Sequence, residues 1–418
     1  MGIELLERPV APLRDITDRP LDPSELEWLA TGRSFEFEDP ATGRRLLLPT
    51  MRGGGPGAGG VYLRNLPSGQ GYVIHPERFA VETQRNFKTY AGQAWPGYAQ
   101  RLSWRLDKTG VVARVWLHFE GTLAPGAMTP TAAGGYPFNL IRRIKVSANG
   151  ISNLIYFDGW DARALARIRN KLFNDREVVY TLPTGGGATL PLRLDWEIPL
   201  AYDDSLIGAV FCQTEDTELT VELELAGAST ELFATNAPTV AGTFTPVVEF
   251  FSIPLETSQE KTRLILPDIR QLHGITSKDD AVTGAGEHTA NLMRTGGILL
   301  RALQRLDNIA PSIGNYDLAA NCSSHKFRYG STQVVFDISG RIKRAMMQMD
   351  YGDSIMPAVD VVSGTAPQYL VDDFVADSPV RDVIHLLGVS EPQLLNQLTV
   401  APTAGATMHT VQEHMVGG

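Results

Sequence analysis

The stretch PFNLIRRIKVSANGISNLIYFDGWDARALARIRNKLF, Pro137–Phe173, decides the fold. Ile141 to Ser147 reads as a strand. Asn149-Gly150 follows, the pair that best suits a type I′ hairpin turn, in which both central residues need φ > 0. Ile151 to Phe157 is the return strand. Asp158 or Asp161 then caps a helix carrying Leu165, Ile168 and Leu172 on one face. The same order recurs about one domain later in SSHKFRYGSTQVVFDISGRIKRAMMQMDYG. There a strand meets a Gly330-Ser331 turn of II′ type, a second strand, and a helix capped near Asp337 or Ser339, with Ile342, Met346 and Met349 as its apolar residues. Strand, tight turn, strand and helix, once in each half, predict two copies of one domain.

Working outward, period-two patterning dominates the chain. Leu102, Trp104 and Leu106 alternate with polar neighbours, as do Ala113, Val115, Leu117 and Phe119. Leu192, Leu194, Trp196 and Ile198 repeat the pattern, and Leu219, Val221, Leu223 and Leu225 do so with Glu222 and Glu224 on a wet face. The segment from Gly121 to Gly135 reads as a long connection. GASTELFATNAPTVAGTFTP reads as an interdomain link, with strands resuming at Val247 and again over Thr262 to Leu266. Gly274 to Thr289 reads as a charged, solvent-facing loop. Ile298 to Leu306 reads as a strand, the copy of Arg101 to Leu106. PQLLNQLTVAP, residues 392–402, reads as a closing strand, and Thr403 to Gly418 as a loose tail. Residues 1–70 read as an N-terminal arm with a short helix from Asp22 to Leu29 and a glycine-rich linker, Arg52–Gly60. The expected architecture is all-β: an arm at 1–70, a first barrel at 71–240 and a second at 241–418.

The 418 residues allow roughly two or three domains. With 43% apolar and 20% charged residues, the chain can bury a large core. A net charge of −10 opposes a surface built to neutralise nucleic-acid phosphates. Two cysteines, Cys212 and Cys322, make neither a disulfide framework nor a zinc pattern. Met1–Asp15 has no signal-peptide pattern, and no run approaches the ~18 apolar residues of a spanning helix.

No catalytic, cofactor or metal residue is nominated. The histidines His75, His118, His273, His288, His325, His385, His409 and His414 form no HxH, HxxxH or HExxH. Asp203-Asp204, Asp279-Asp280 and Asp372-Asp373 are adjacent, and neighbours on a strand point to opposite faces. The glycines of Arg52–Gly60 lack the Lys-Ser/Thr of a phosphate loop. Arg163, Arg167 and Lys171 recur every four positions, which reads as a solvated stripe or as a contact for an acidic neighbour.

FNLIRRIKVSANGISNLIYFDGWDARAL and LDWEIPLAYDDSLIGAVFCQTEDTELTVELEL together resemble the major capsid proteins of tectivirus-type, internal-membrane icosahedral viruses with double-stranded DNA. The resemblance implies two consecutive eight-stranded jelly rolls with short helices, and no enzyme activity or cofactor. It also implies homotrimers of pseudo-hexagonal outline that tile a virion shell assembled in the host cytoplasm. Partners would be neighbouring capsomers, penton and minor capsid proteins and, through the arm, the membrane face, with no sequence-specific nucleic-acid binding. The alternatives are a jelly-roll carbohydrate-binding or carbohydrate-active protein, marked by aromatics clustered on one sheet, and a viral spike or tail protein. Trp104, Trp116, Trp160 and Trp196 are scattered over different elements, which disfavours the carbohydrate reading.

Overall fold

The alternating runs of the first half become the strands β1 (Arg85–Thr89), β2 (Arg101–Leu106), β3 (Gly110–Ala124), β4 (Ile141–Ala148), β5 (Ile151–Phe157), β6 (Leu190–Pro199), β7 (Leu219–Leu225) and β8 (Thr239–Phe251). Those of the second half become β9 (Gln271–Ala281), β10 (Gly286–Asn291), β11 (Ile298–Asp307), β12 (Cys322–Tyr329), β13 (Gln333–Ile338), β14 (Leu370–Asp373), β15 (Pro392–Leu398) and β16 (Thr407–Gly417). The structure is a computed structural model. It describes strands at 34–39 and 44–49 and then residues 71–417, apart from 75, 108, 149–150, 170–178, 203–205, 213–217, 258–261, 268–270, 293–296, 308–315, 330–332, 352–368, 376–383 and 386–391.

The first eight strands pair in the orders β1-β8-β3-β6 and β2-β7-β4-β5. The second eight repeat this as β9-β16-β11-β14 and β10-β15-β12-β13. Each half is therefore a jelly roll of two four-stranded sheets, and strand n of the first matches strand n + 8 of the second. Helix α1 (Gly159–Arg169) follows β5, and helix α2 (Gly340–Tyr351) follows β13, so the helices are counterparts as well.

Alternation becomes burial where one face is dry. Leu102, Trp104 and Leu106 point inward from β2 while their neighbours are exposed. Phe119 and Phe244 meet with ring centroids 4.6 Å apart between β3 and β8, beside Trp196 of β6. The second barrel has a smaller apolar cluster around Leu299, Ala302, Phe327 and Leu394. A buried polar chain supplements it: Thr410 to Gln304 (3.2 Å), Gln304 to Asn396 (2.9 Å), Asn396 to His325 (2.8 Å), His325 to Asp372 (2.9 Å) and Asp372 to Lys343 of α2 (2.7 Å). Each member has a partner, which keeps so polar a core from incurring an unmatched desolvation cost.

Several sequence expectations are corrected. The boundary at 240/241 falls inside β8, which pairs with β1 and β3 along Thr239–Phe251 and so completes the first barrel. Residues 274–289 are largely β9 and β10, not a loop. The tail is β16, held between β9 and β11 at the centre of its sheet. The counterpart of Ile298–Asp307 is β3 rather than Arg101–Leu106. Tyr329 pairs with Gln333, so three residues, not two, connect β12 to β13. Ala148 pairs with Ile151, which matches a two-residue connection, but the Asn149-Gly150 and Gly330-Ser331 turns lie outside the described residues. So does the helix expected at Asp22–Leu29. Within residues 1–70, Ser34–Asp39 and Arg44–Pro49 pair as antiparallel strands.

Candidate functional site

The two barrels are joined edge to edge. β5 runs parallel to β9, with Ile155 opposite Ile275 and Tyr156 opposite Thr276. One sheet thus continues across the molecule in the order β14-β11-β16-β9-β5-β4-β7-β2. α1 starts immediately after the joining strand, and its side chains reach β11 and β16 of the second barrel. This seam holds the main concentration of buried charge among the described residues.

Its first cluster grows from the helix start. The Asp158 carboxylate accepts from the Asp161 N–H at 2.8 Å, and the Asp161 carboxylate accepts from the Asp158 N–H at 3.0 Å. This reciprocal cap satisfies two donors that helix geometry leaves open. Both carboxylates also face Arg305 of β11, whose guanidinium donates to Asp161 at 2.7 Å and to Asp158 at 2.5 Å. Tyr369 donates to Asp161 at 2.9 Å. His409 of β16 lies with Nε2 2.8 Å from Asp161 and Nδ1 2.5 Å from Asp279 of β9. Arg143 of β4 reaches Asp279 at 2.9 Å. Asp158, Asp161, Arg305 and His409 are all buried.

These proximities set the charge states. Burial alone would raise the Asp161 carboxyl, but His409 and Arg305 override it and hold it well below the usual carboxylate range. Burial and Arg305 push His409 down, whereas Asp161 and Asp279 push it up more strongly, to about 9. Histidine therefore carries charge here at neutral pH.

A second cluster surrounds Glu413 of β16. It lies 2.7 Å from His273 of β9, 2.7 Å from Arg301 of β11 and 3.4 Å from Arg169 of α1. The aromatic ring of Tyr202, from the first barrel, lies 5.7 Å from the Arg301 guanidinium carbon and 6.0 Å from that of Arg169. Burial opposes the Glu413 charge, but Arg301, Arg169 and His273 outweigh it and hold the carboxyl far below its usual range.

The arrangement suits a mechanical lock rather than a reaction. Asp158, Asp161 and His409 bring ligand-type atoms within 4.8 Å of one another, but both carboxylates are already engaged by the Arg305 guanidinium and by each other's backbone N–H, and His409 Nε2 by Asp161. Ionic groups in a dry seam also demand one register, because a slipped barrel would leave them unpaired.

The sequence nominated no site residue, and what it missed was long-range. Asp161 and His409 are 248 positions apart. The readable trace was Asp158-Gly-Trp-Asp161, a capping pattern with more carboxylate than a cap requires. Arg163 is not part of a solvated stripe: it is buried, with its guanidinium carbon 5.0 Å from the Phe138 ring centroid. Asp372 and Asp373 do point to opposite faces, the first to His325 in the core and the second to Arg301 at the seam. Trp104, Trp160 and Trp196 are buried and offer no ring to a sugar.

No family model and no curated protein sequence matches the chain. Solved structures do. The crystal structure of the STIV MCP superposes with a TM-score of 0.58 at 13% identity, covering 80% of this chain and 97% of that one. The atomic structure of Sulfolobus Turreted Icosahedral Virus gives 0.57 at 13% identity over 80% and 91%. The capsid of PBCV-1 gives 0.50 at 11% identity over 80% and 94%. With the repeated strand order and the shared sheet, these place the chain in the double jelly-roll fold of the major capsid proteins of icosahedral viruses.

Proposed function

We propose that the chain is the major capsid protein of an icosahedral virus and works as a building tile of the virion. The observation that carries this reading is the seam: two barrels of identical strand order are fused through one sheet and locked by buried ion pairs, which makes a rigid double unit. Three copies supply six barrels, and six barrels in a ring give the pseudo-hexagonal outline that packs a shell. The partners are then further copies of the chain, with penton and minor capsid proteins at special positions. Residues 1–70 act as an arm that reaches a neighbouring capsomer or an internal membrane. The absence of enzyme activity, cofactor and bound metal belongs to the same proposal.

Sedimentation of the full chain at micromolar concentration tests it. One species near three times 45.6 kDa is expected. A stable folded monomer would remove the obligate trimer.

A further inference from the structure

We propose that the second barrel docks on the first barrel of another copy by repeating the seam between chains, with β13 running parallel to β1 and α2 lying over the outer face of β1-β8-β3. This rests on the capsid reading and specifies the contact that builds its ring.

The argument comes from the internal repeat. Within the chain, β5 pairs in parallel with β9, and α1 reaches β11 and β16. The counterparts of β5 and α1 are β13 and α2, and the counterparts of β9, β16 and β11 are β1, β8 and β3. β13 ends its sheet and β1 ends its own, so among the described residues both are open edges. An open edge presents unpaired N–H and C=O groups and readily accepts another strand.

The surfaces flanking these edges correspond. In the second barrel Arg301 lies opposite Glu413, and Glu413 opposite Ile275. In the first barrel Arg114 lies opposite Glu249, and Glu249 opposite Phe87. The ionic contact recurs too, Arg301 to Glu413 at 2.7 Å and Arg114 to Glu249 at 3.1 Å. Ile275, however, is fully buried by the seam, whereas its counterpart Phe87 is 58% exposed.

The helices show the same contrast. Counting from Gly159 and Gly340, the buried Asp161, Leu165 and Ile168 of α1 correspond to Ile342, Met346 and Met349 of α2, which are 56%, 47% and 86% exposed. On hydrophobicity alone these three would be the packing face of the helix. Instead α2 turns Lys343, Met347 and Tyr351 inward, because the Asp372 carboxylate in the barrel core takes the Lys343 ammonium. The apolar stripe is left facing outward.

Transferring the register of the seam sets Phe336 beside Phe87 and Asp337 beside Lys88. The second pair carries opposite charges, and both residues are exposed. Because the two surfaces lie on different barrels of one chain, the contact is head-to-tail and closes only as a ring.

The test is a chain carrying Lys88→Cys and Asp337→Cys. Neighbouring strands stand ~4.8 Å apart, within the ~4.4–6.8 Å Cα span of a disulfide, and the native Cys212 and Cys322 are buried. Mild oxidation should link chains into species that end at the size of the wild-type oligomer, while either single variant stays unlinked. Independently, Met346→Glu, on an exposed position, should weaken association at least tenfold in sedimentation with an unchanged circular dichroism spectrum. A wild-type oligomer whose paired cysteines do not link and whose association ignores Met346→Glu overturns this contact and leaves the capsid reading standing. A monomeric wild-type chain overturns both.

Discussion

Replacing Arg305 by leucine should separate the barrels energetically. Its guanidinium is the cation shared by Asp158 and Asp161, and it also reaches Asp307 at 3.0 Å and the Tyr369 hydroxyl. Removing it leaves buried carboxylates facing one another across a dry seam. Breaking a buried ion pair from one side costs ~3–5 kcal/mol, and two carboxylates lose their partner together, so the upper part of that range applies. Against a domain stability of ~5–15 kcal/mol, this is a large fraction, on the order of 10 °C in melting temperature for a unit of this size. Urea and thermal denaturation followed by tryptophan fluorescence and circular dichroism should show the loss, with the single wild-type transition splitting in two. The triple variant Arg305→Leu, Asp158→Asn, Asp161→Asn should recover part of it, since the stranded charges are gone. A loss below about 1 kcal/mol for Arg305→Leu would refute the buried-lock account, because such a value belongs to an exposed pair.

Other consequences are checkable on the same protein. His409 is raised from an ordinary value near 6.5 to about 9 by its two carboxylate partners, so its stabilisation is complete below pH ~6.5 and is lost as pH rises through 9; the shift corresponds to roughly 3 kcal/mol, and His409→Gln should flatten the alkaline limb of a stability–pH curve. Burial lowers His414 to about 4, which has the opposite sense: stability falls as the pH drops from ~6.5 towards 4, and His414→Gln should reduce that acid loss. A Cβ at Gly159 would stand 2.0 Å from the Phe138 carbonyl oxygen and 2.9 Å from Trp196 Nε1, so Gly159→Ala should destabilise the first barrel by about 1–3 kcal/mol in a urea titration. Lys343→Met strands the buried Asp372 beside His325 and should cost about 3 kcal/mol or more, with Lys343→Met, Asp372→Asn less affected.

What the sequence made legible was whatever obeys one period and one wet face. β2, β3, β6 and β7 alternate because they separate a dry core from water, and the strand–turn–strand–helix unit announced the repeat through Asp158 and its neighbours. β16 escaped because both of its faces are buried and one of them is ionic: His409 and Glu413 look like tail residues until Asp161, Arg305 and Arg301 are beside them. β9 escaped for another reason: Asp279 and Ala281 are exposed and Thr276, Lys278 and Asp280 half-buried, so this polar end reads as loop until His409 and Arg143 pair with Asp279. The boundary was misplaced because Gly242, Thr243 and Pro246 read as linker, yet they lie in the middle of β8, paired with β3. α2 was recognised as a helix with Ile342, Met346 and Met349 as its apolar residues, but amphipathicity reports only that one stripe is apolar. Whether that stripe meets the chain's own core or another copy depends on Asp372, a residue beyond the helix.

Electron microscopy of the purified full-length chain tests the central claim most directly. Class averages should show six barrel-sized lobes in a ring of hexagonal outline, three double units per particle, with each pair joined through the seam described above. Particles that are single two-lobed units at micromolar concentration, or rings whose neighbouring lobes do not share an edge, would contradict it.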